Sequence, residues 1–207
     1  MAQLLAIHPL NPQPRLLAQA IEVLRAGGVI VYPTDSCYAL GCHLGDKAAL
    51  DRLRAVRGID ERHHLTLMCR DLGDIGHYAR VDNITYRLLK AHTPGSYTFI
   101  LNASRELPRR VLHEKRKTIG VRIPDHAVAA GLLQMLEGPL ISTTLTLPGE
   151  HEPLDDAHDI QARLDRQVDL VVDSGACGVE PTSVVDLTGA APSIVRRGKG
   201  DLGDFEI

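Results

Sequence analysis

The sequence is poor in aromatic residues and has no closely spaced cysteines. Tryptophan is absent and aromatic residues make up 3% of the 207 residues, which argues against a domain that stacks single-stranded bases on aromatic rings. The four cysteines, Cys37, Cys42, Cys69 and Cys177, form no Cys-x-x-Cys pair. Because structural zinc sites usually use close ligand pairs, we expect no metal site. The same cysteine spacing favours free thiols in a reducing, cytoplasmic location.

Long apolar runs and a strong net charge are also missing. No stretch is long enough to cross a bilayer, and the short apolar run at residues 4–7 does not make a signal peptide, so we expect no membrane partner. Hydrophobic residues (44%) and charged residues (24%) are in ordinary proportion for a globular protein, and the length predicts a single domain over residues 1–207. The oligomeric state is not predictable from these features.

Hydrophobic periodicity predicts alternating helices and strands. Helices are expected over residues 14–25, 47–57, 83–91, 127–136 and 156–164, and strands over 29–32, 65–69, 97–101, 118–123, 140–144, 168–172, 182–187 and 194–197. Asn11, Asp46 and Asp125 are the predicted N-caps of three of the helices. This alternation predicts an α/β fold, and its short connections favour a mixed sheet.

Hydroxyl and arginine side chains recur at the ends of the predicted strands. The phosphate-binding glycine motifs and the Gly-x-Ser-x-Gly motif are absent, whereas strand ends are where open α/β sheets bind ligands. The residues concerned are Thr34, Ser36, Arg122, Ser142, Thr143, Thr144, Thr182 and Arg196. Turns and strands account for the hydroxyls individually. A buried arginine needs either an internal carboxylate or an anionic ligand.

Residues 105–122 form a basic segment in an otherwise acidic chain. The segment carries a net charge of +5, so the remaining residues carry −8. Its clustered cations are Arg109, Arg110, Lys115, Arg116 and Lys117. They suit contact with RNA phosphates, although a solvated basic face is the common alternative. The pair His63-His64 and the acidic stretch near His151 lack metal-ligand spacing, which favours solvated loops.

Taken in order, these segments resemble the motifs of the YrdC-type family, and most closely its YciO branch. The matching segments are Pro33-Thr34-Asp35-Ser36-Cys37-Tyr38-Ala39-Leu40, Pro94-Gly95-Ser96-Tyr97-Thr98, Thr118 to Pro124, Ser142-Thr143-Thr144, Pro181 to Asp186 and Val195-Arg196-Arg197-Gly198. Together these segments extend the resemblance over about residues 8–200. The resemblance implies a twisted, open mixed sheet with flanking helices and a large concave, positively charged cavity.

The resemblance also implies an activity. The family's known reaction makes L-threonylcarbamoyladenylate and pyrophosphate from ATP, L-threonine and bicarbonate, and it serves threonylcarbamoyl modification of tRNA. Such a transfer needs positioning and charge neutralisation rather than a covalent or acid–base residue. By resemblance, Thr34, Arg122 and Thr182 would bind threonine. The nucleotide would contact Thr118, Ser142, Thr144, Arg196 and Arg57. Mg²⁺ would arrive with ATP as substrate, and no tightly bound cofactor is expected.

One motif departs from the synthase pattern. Synthases of the family carry Lys-x-Arg after the second helix, where this chain has Arg57-Gly58-Ile59. Loss of a cation at Ile59 would cost about 1.5–3 kcal/mol of phosphate binding unless Arg62 compensates for it. Leu145 and Thr146 replace a further Ala-Asn pair. Three functions therefore stay open: a synthase, a double-stranded RNA-, tRNA- or ribosome-binding factor, and a protein that binds or hydrolyses the adenylate.

Overall fold

The computed structural model describes residues 1–206 and places them in an α/β fold built on one ten-stranded mixed sheet. The strands are β1 (Gln3–Ala6), β2 (Val29–Tyr32), β3 (Ala39–His43), β4 (Thr66–Met68), β5 (Tyr97–Asn102), β6 (Thr118–Arg122), β7 (Leu140–Thr144), β8 (Leu170–Asp173), β9 (Ser183–Asp186) and β10 (Ser193–Arg196). The helices are α1 (Pro14–Arg25), α2 (Lys47–Arg57), α3 (Leu72–Tyr78), α4 (Asn83–His92), α5 (Ala127–Leu136) and α6 (Ala157–Leu164). The predicted fold class is confirmed.

The order of strands across the sheet is β1-β8-β2-β3-β7-β4-β6-β5-β9-β10. The pairs β1–β8, β2–β8, β4–β6 and β5–β9 are parallel, and the other neighbours are antiparallel. Although β8 and β9 follow each other in the chain, they occupy the second and ninth positions. The segment 174–182 therefore connects distant parts of the sheet.

Helices α1 and α5 pack together on one face of the sheet. The buried residues of α1, Leu17, Ala20, Ile21 and Leu24, are three or four positions apart and so form one stripe. This stripe and the apolar face of α5 join one core cluster with residues of β2 and β8, such as Ile30. The second core cluster includes the apolar side of α2. Within residues 1–206, no helix is both long and apolar enough to span a membrane.

Three elements of the fold are not predicted from the sequence. Strand β1 lies in the short apolar run at the start of the chain, and β3 contains no β-branched residue, so its position is set by pairing with β2 and β7. Helix α3 contains two glycines, which disfavour helices. Asp71 caps its start, and the Asp71 carboxylate accepts a hydrogen bond from the backbone N–H of Asp74 at 2.9 Å.

Two of the predicted N-caps are wrong, whereas Asp46 is confirmed as the cap of α2. Helix α1 begins after Gln13, without a side-chain cap, because Pro14 at its first position already lacks an N–H to satisfy. Helix α5 begins after His126, whose ring accepts a bond from the N–H of Val128. The backbone N–H of Asp125 instead donates to Asp35 at 3.1 Å.

Candidate functional site

Part of the sheet face beside α1 and α5 forms the floor of a cavity of about 420 Å³. Alternate residues of neighbouring strands line it, as expected for one face of a sheet, and Thr143 in β7 lines it as well. These residues include Thr66 and Met68 in β4, Thr98 and Ile100 in β5, and Ser142 and Thr144 in β7. In the part of the chain that the structure describes, the lining contains Arg62, Arg122 and Arg196 and no carboxylate. The cavity therefore favours anionic ligands of small-molecule size.

The structure brings most of the predicted ligand-binding residues together. Those that line the cavity are Thr34, Arg122, Ser142, Thr144, Thr182 and Arg196. Thr118 does not line it, and its hydroxyl lies 3.0 Å from Nε2 of His64. Arg57 does not line it either, because its guanidinium turns to donate to the carbonyl of Thr146. The cation after α2 that does reach the cavity wall is Arg62.

The segment that follows β2 forms a hydroxyl-bonded turn at one end of the cavity. Oγ1 of Thr34 accepts bonds from the backbone N–H groups of Ser36 (3.2 Å) and Cys37 (3.3 Å) and donates to the carbonyl of Cys37 (2.7 Å). The turn interpretation of this segment therefore holds at Thr34. The same turn keeps Thr34 and Ser36 buried in the lining, so their positions are fixed before a ligand arrives.

Arg122, at the end of β6, is buried beside an internal carboxylate. Its Nη2 lies 2.6 Å from Oδ1 of Asp35, and its Nη1 lies 3.1 Å from Oγ of Ser36. Burial alone would raise the pKa of the Asp35 carboxyl, but Arg122, together with the Ser96 hydroxyl at 2.6 Å, holds that pKa below its ordinary value. Nε of Arg122 has no acceptor among residues 1–206. The same holds for Nε of Arg54, Arg57 and Arg110, but among these four arginines only Arg122 lines the cavity.

Arg196 fixes the hydroxyl of Thr182 on another side of the cavity. Its Nε donates to the carbonyl of Thr182 at 3.0 Å, and its Nη2 donates to Oγ1 of Thr182 at 3.1 Å. The hydroxyl of Thr98 lies 2.9 Å from the same Oγ1. Tyr32 does not line the cavity, but its hydroxyl lies 2.7 Å from that of the lining residue Ser142, and burial raises the pKa of Tyr32 to about 12. Tyr32 therefore keeps its proton at neutral pH.

His63 and His64 also line the cavity, and sequence reasoning missed them. The prediction of a solvated loop is incomplete, because the His64 ring packs against the His113 ring with centroids 4.5 Å apart. Burial, together with the nearby His113 and Arg116, lowers the pKa of His64 to about 4. His64 is therefore neutral at neutral pH. No signal in the sequence identifies this position, since the contact joins residues far apart in the chain.

The lowered pKa of His64 predicts a pH-dependent stability. An exposed histidine has a pKa near 6.5, so the unfolded chain takes up the proton first, and stability falls as pH falls from about 6.5 to 4. Because water screens the partly exposed ring, we expect His64 to account for about 1 kcal/mol of this loss. Urea unfolding at pH 7 and pH 5 should show a smaller loss for His64→Asn than for wild type. The exposed His151→Asn should match wild type, and an unchanged loss in His64→Asn would contradict the prediction.

The cations predicted to contact RNA do not line the cavity. Arg109 and Lys117 border a separate groove, and Lys115 is exposed. Arg110 donates to the carbonyl of Gly45, which ties it to the loop before α2. Arg116 lies 3.7 Å from the carboxylate of Asp186. The basic segment is therefore not one uniform surface, and only part of it faces a concave site.

Sequence comparison identifies the family. The Sua5_yciO_yrdC family model, described as "Telomere recombination", matches residues 22–198. The chain belongs to the Sua5/YciO/YrdC family. An uncharacterized protein from Haemophilus influenzae is 54% identical over 206 residues, which cover 99% of this chain and all of that protein. YciO from Escherichia coli K12, also uncharacterized, is 51% identical with the same coverage of both chains. The resemblance to the YciO branch is thus confirmed.

Other members of the Sua5/YciO/YrdC family carry a named activity. A threonylcarbamoyl-AMP synthase from Halorhodospira halophila is 31% identical over 191 residues, or 91% of this chain and 98% of that protein. The crystal structure of E. coli YciO superposes with a TM-score of 0.97 over the full length of both chains. That of P. abyssi Sua5 complexed with L-threonine gives 0.86 at 23% identity, over 94% of this chain and 57% of that one. The Sua5 likeness shows a shared fold.

Proposed function

We propose that the protein is a synthase of the threonylcarbamoyl-AMP type that uses L-threonine, bicarbonate and Mg·ATP. The observation that carries this proposal is the cavity itself, whose wall combines three arginines with a row of fixed hydroxyls and no carboxylate among the described residues. The carboxylate of threonine, its carbamate and the triphosphate are all anions. Homology to threonylcarbamoyl-AMP synthases supports this choice among anionic ligands.

The proposed reaction requires orientation rather than a protein nucleophile. The amine of threonine combines with bicarbonate to give a carbamate and water. A carbamate oxygen then attacks the α-phosphorus of ATP, the bond to the β-phosphate oxygen breaks, and pyrophosphate leaves with Mg²⁺. The chain must hold the two reactants in line and offset their negative charge. A wall of preformed hydrogen-bond donors suits both tasks.

The contacts suggest a division of roles among the cavity residues. Arg122 would bind the threonine carboxylate, since it is the arginine of the cavity lining whose Nε is buried without a protein acceptor. Thr182, fixed by Arg196, would orient the threonine or its carbamate. Arg62 is more exposed, with 70% of its side chain accessible, and would meet the phosphates at the cavity mouth.

Pyrophosphate release tests the proposal directly. Purified protein would be incubated with ATP, Mg²⁺ and bicarbonate, with and without L-threonine. Threonine-dependent release is the expected result. If no pyrophosphate is released but ATP still binds, the adenylate-consuming or RNA-binding function replaces the synthase. If ATP does not bind either, the nucleotide site is rejected.

Arg62→Ala should lower threonine-dependent pyrophosphate release by about 10- to 100-fold, because a lost charge-assisted contact is worth about 1.5–3 kcal/mol. The matched control is Arg87→Ala, which removes an exposed arginine outside the cavity lining and should leave the rate unchanged. Ile59→Arg should give no gain, since Ile59 packs against the core instead of lining the cavity. Equal rates for Arg62→Ala and Arg87→Ala would refute the role of Arg62.

A further inference from the structure

A second concave site lies outside the proposed active site. It is a groove of about 690 Å³, and its lining shares no residue with that of the cavity. Its charged lining residues are Arg80, Arg105, Arg109, Lys117 and one carboxylate, Glu114. Four Lys or Arg side chains thus face one groove in a chain whose net charge is −3. Such a concentration of positive charge attracts anions.

The four cations of the groove lack carboxylate partners. Among residues 1–206, no carboxylate oxygen lies within 4.0 Å of the side-chain nitrogens of Arg80, Arg105, Arg109 or Lys117. The carboxylate of Glu114 is directed elsewhere, to Nε of Arg62 at 3.8 Å. The four cations outnumber the one carboxylate of the lining, so they repel each other. A bound anion would remove that repulsion.

The backbone at Lys117 gives a second, independent observation. Lys117 has a φ of 53°, in the left-handed region that residues other than glycine seldom adopt. The surrounding chain holds it there, because Lys117 N–H donates to the carbonyl of His113 at 3.0 Å and Ala103 N–H donates to the carbonyl of Lys117 at 3.2 Å. Unfavourable backbone conformations that the surrounding structure maintains cluster at ligand-binding and active sites.

We propose that this groove is a second anion site, which binds phosphate groups and is independent of the cavity. Of the cations predicted to contact RNA, Arg109 and Lys117 belong to it, whereas Arg110 and Arg116 are engaged with protein groups. The groove has a larger volume than the cavity, and its four cations match a ligand with more than one phosphate. Both an RNA backbone and a free polyphosphate present that chemistry.

A pair of double variants tests the second site. Arg105→Ala/Arg109→Ala removes two groove cations, and Arg15→Ala/Arg87→Ala removes two exposed cations elsewhere, so both change the net charge equally. The probes are inorganic triphosphate and an RNA duplex of about 16 base pairs, each titrated at several salt concentrations. Both double variants and their parent carry Arg62→Ala in the triphosphate titrations, so that binding in the cavity is weakened. We expect the groove variant to weaken binding by at least about tenfold and the control by less than about twofold. For the duplex, the salt slope should fall by about 2.

The two probes distinguish the source of the phosphate. Loss confined to the triphosphate supports a free polyphosphate ligand, and loss confined to the duplex supports an RNA backbone. If both double variants lose the same binding affinity, the effect is one of net charge alone and the proposal is overturned. The proposal is also overturned if the wild type binds neither probe. Because pyrophosphate release is tested at Arg62, failure of the synthase proposal would be seen separately.

Discussion

Asp35→Ala is expected to lower the free energy of unfolding by about 3–5 kcal/mol, because it leaves Arg122 as an unpaired buried charge. The side chains of Arg122 and Asp35 are 7% and 11% exposed, so water cannot replace the lost carboxylate easily. The matched control is Asp51→Ala, which breaks the exposed ion pair with Lys47 and should leave the free energy of unfolding almost unchanged. Urea unfolding gives both values. A cost below about 1 kcal/mol for Asp35→Ala would contradict this account.

A double variant separates the structural role of the pair from its proposed role in binding. Asp35→Ala/Arg122→Met removes both charges and should recover part of the stability lost in Asp35→Ala. It should nevertheless bind no threonine, because the guanidinium is gone. The ion pair also predicts acid sensitivity. Since the pKa of Asp35 is lowered, its stabilisation is present above the ordinary carboxyl pKa of about 4 and is lost as pH falls through the folded-state pKa.

Gly198→Ala is expected to cost about 3 kcal/mol of stability and to weaken ligand binding in the cavity. A Cβ at this position would lie 2.2 Å from the carbonyl oxygen of Pro181 and 2.6 Å from the backbone of Thr182. Backbone atoms cannot rotate away as a flexible side chain can, so the segment that carries Thr182, just before β9, must shift. That shift would move the Thr182 hydroxyl relative to Arg122 and Arg196.

The control for Gly198 is Gly189→Ala, in the connection between β9 and β10. There the nearest atom to a new Cβ is the carbonyl oxygen of Ala191 at 3.6 Å, which is an ordinary contact. Thermal unfolding should therefore show a clear loss for Gly198→Ala and little change for Gly189→Ala. If the two variants unfold at the same temperature, the close approach at Gly198 does not constrain the fold.

The sequence predicts those parts of the fold that depend on local pattern. Helices α1 and α2 follow from their apolar stripes, and Asp46 follows from its capping chemistry. Strand β3 could not be found, because its pairing with β2 and β7, rather than its composition, makes it a strand. Helix α3 was missed for a related reason, since its glycines have low helix propensity while a side-chain cap stabilises its start.

The candidate site divides in the same way. The order of motifs predicts most of the residues that line the cavity. It does not predict the ion-pair partner of Arg122, because Asp35 lies 87 positions away in the chain. Arg57 shows the limit of matching by position, since its side chain turns toward Thr146. Arg62 and His64 enter the site only through the path of the loop after α2, which no periodic pattern encodes.

The segment 174–182 limits the shape of the whole sheet. In a flat sheet, β8 and β9 would be separated by seven strand spacings, or about 34 Å. The ten Cα–Cα steps from Asp173 to Ser183 reach about 33–36 Å only when fully extended. The segment is not fully extended, because Gly175 has a φ of 87° and Cys177 N–H donates to the carbonyl of Asp155. This connection is therefore a tether: its length forces the sheet to curl and sets an upper bound on how wide the cavity can open.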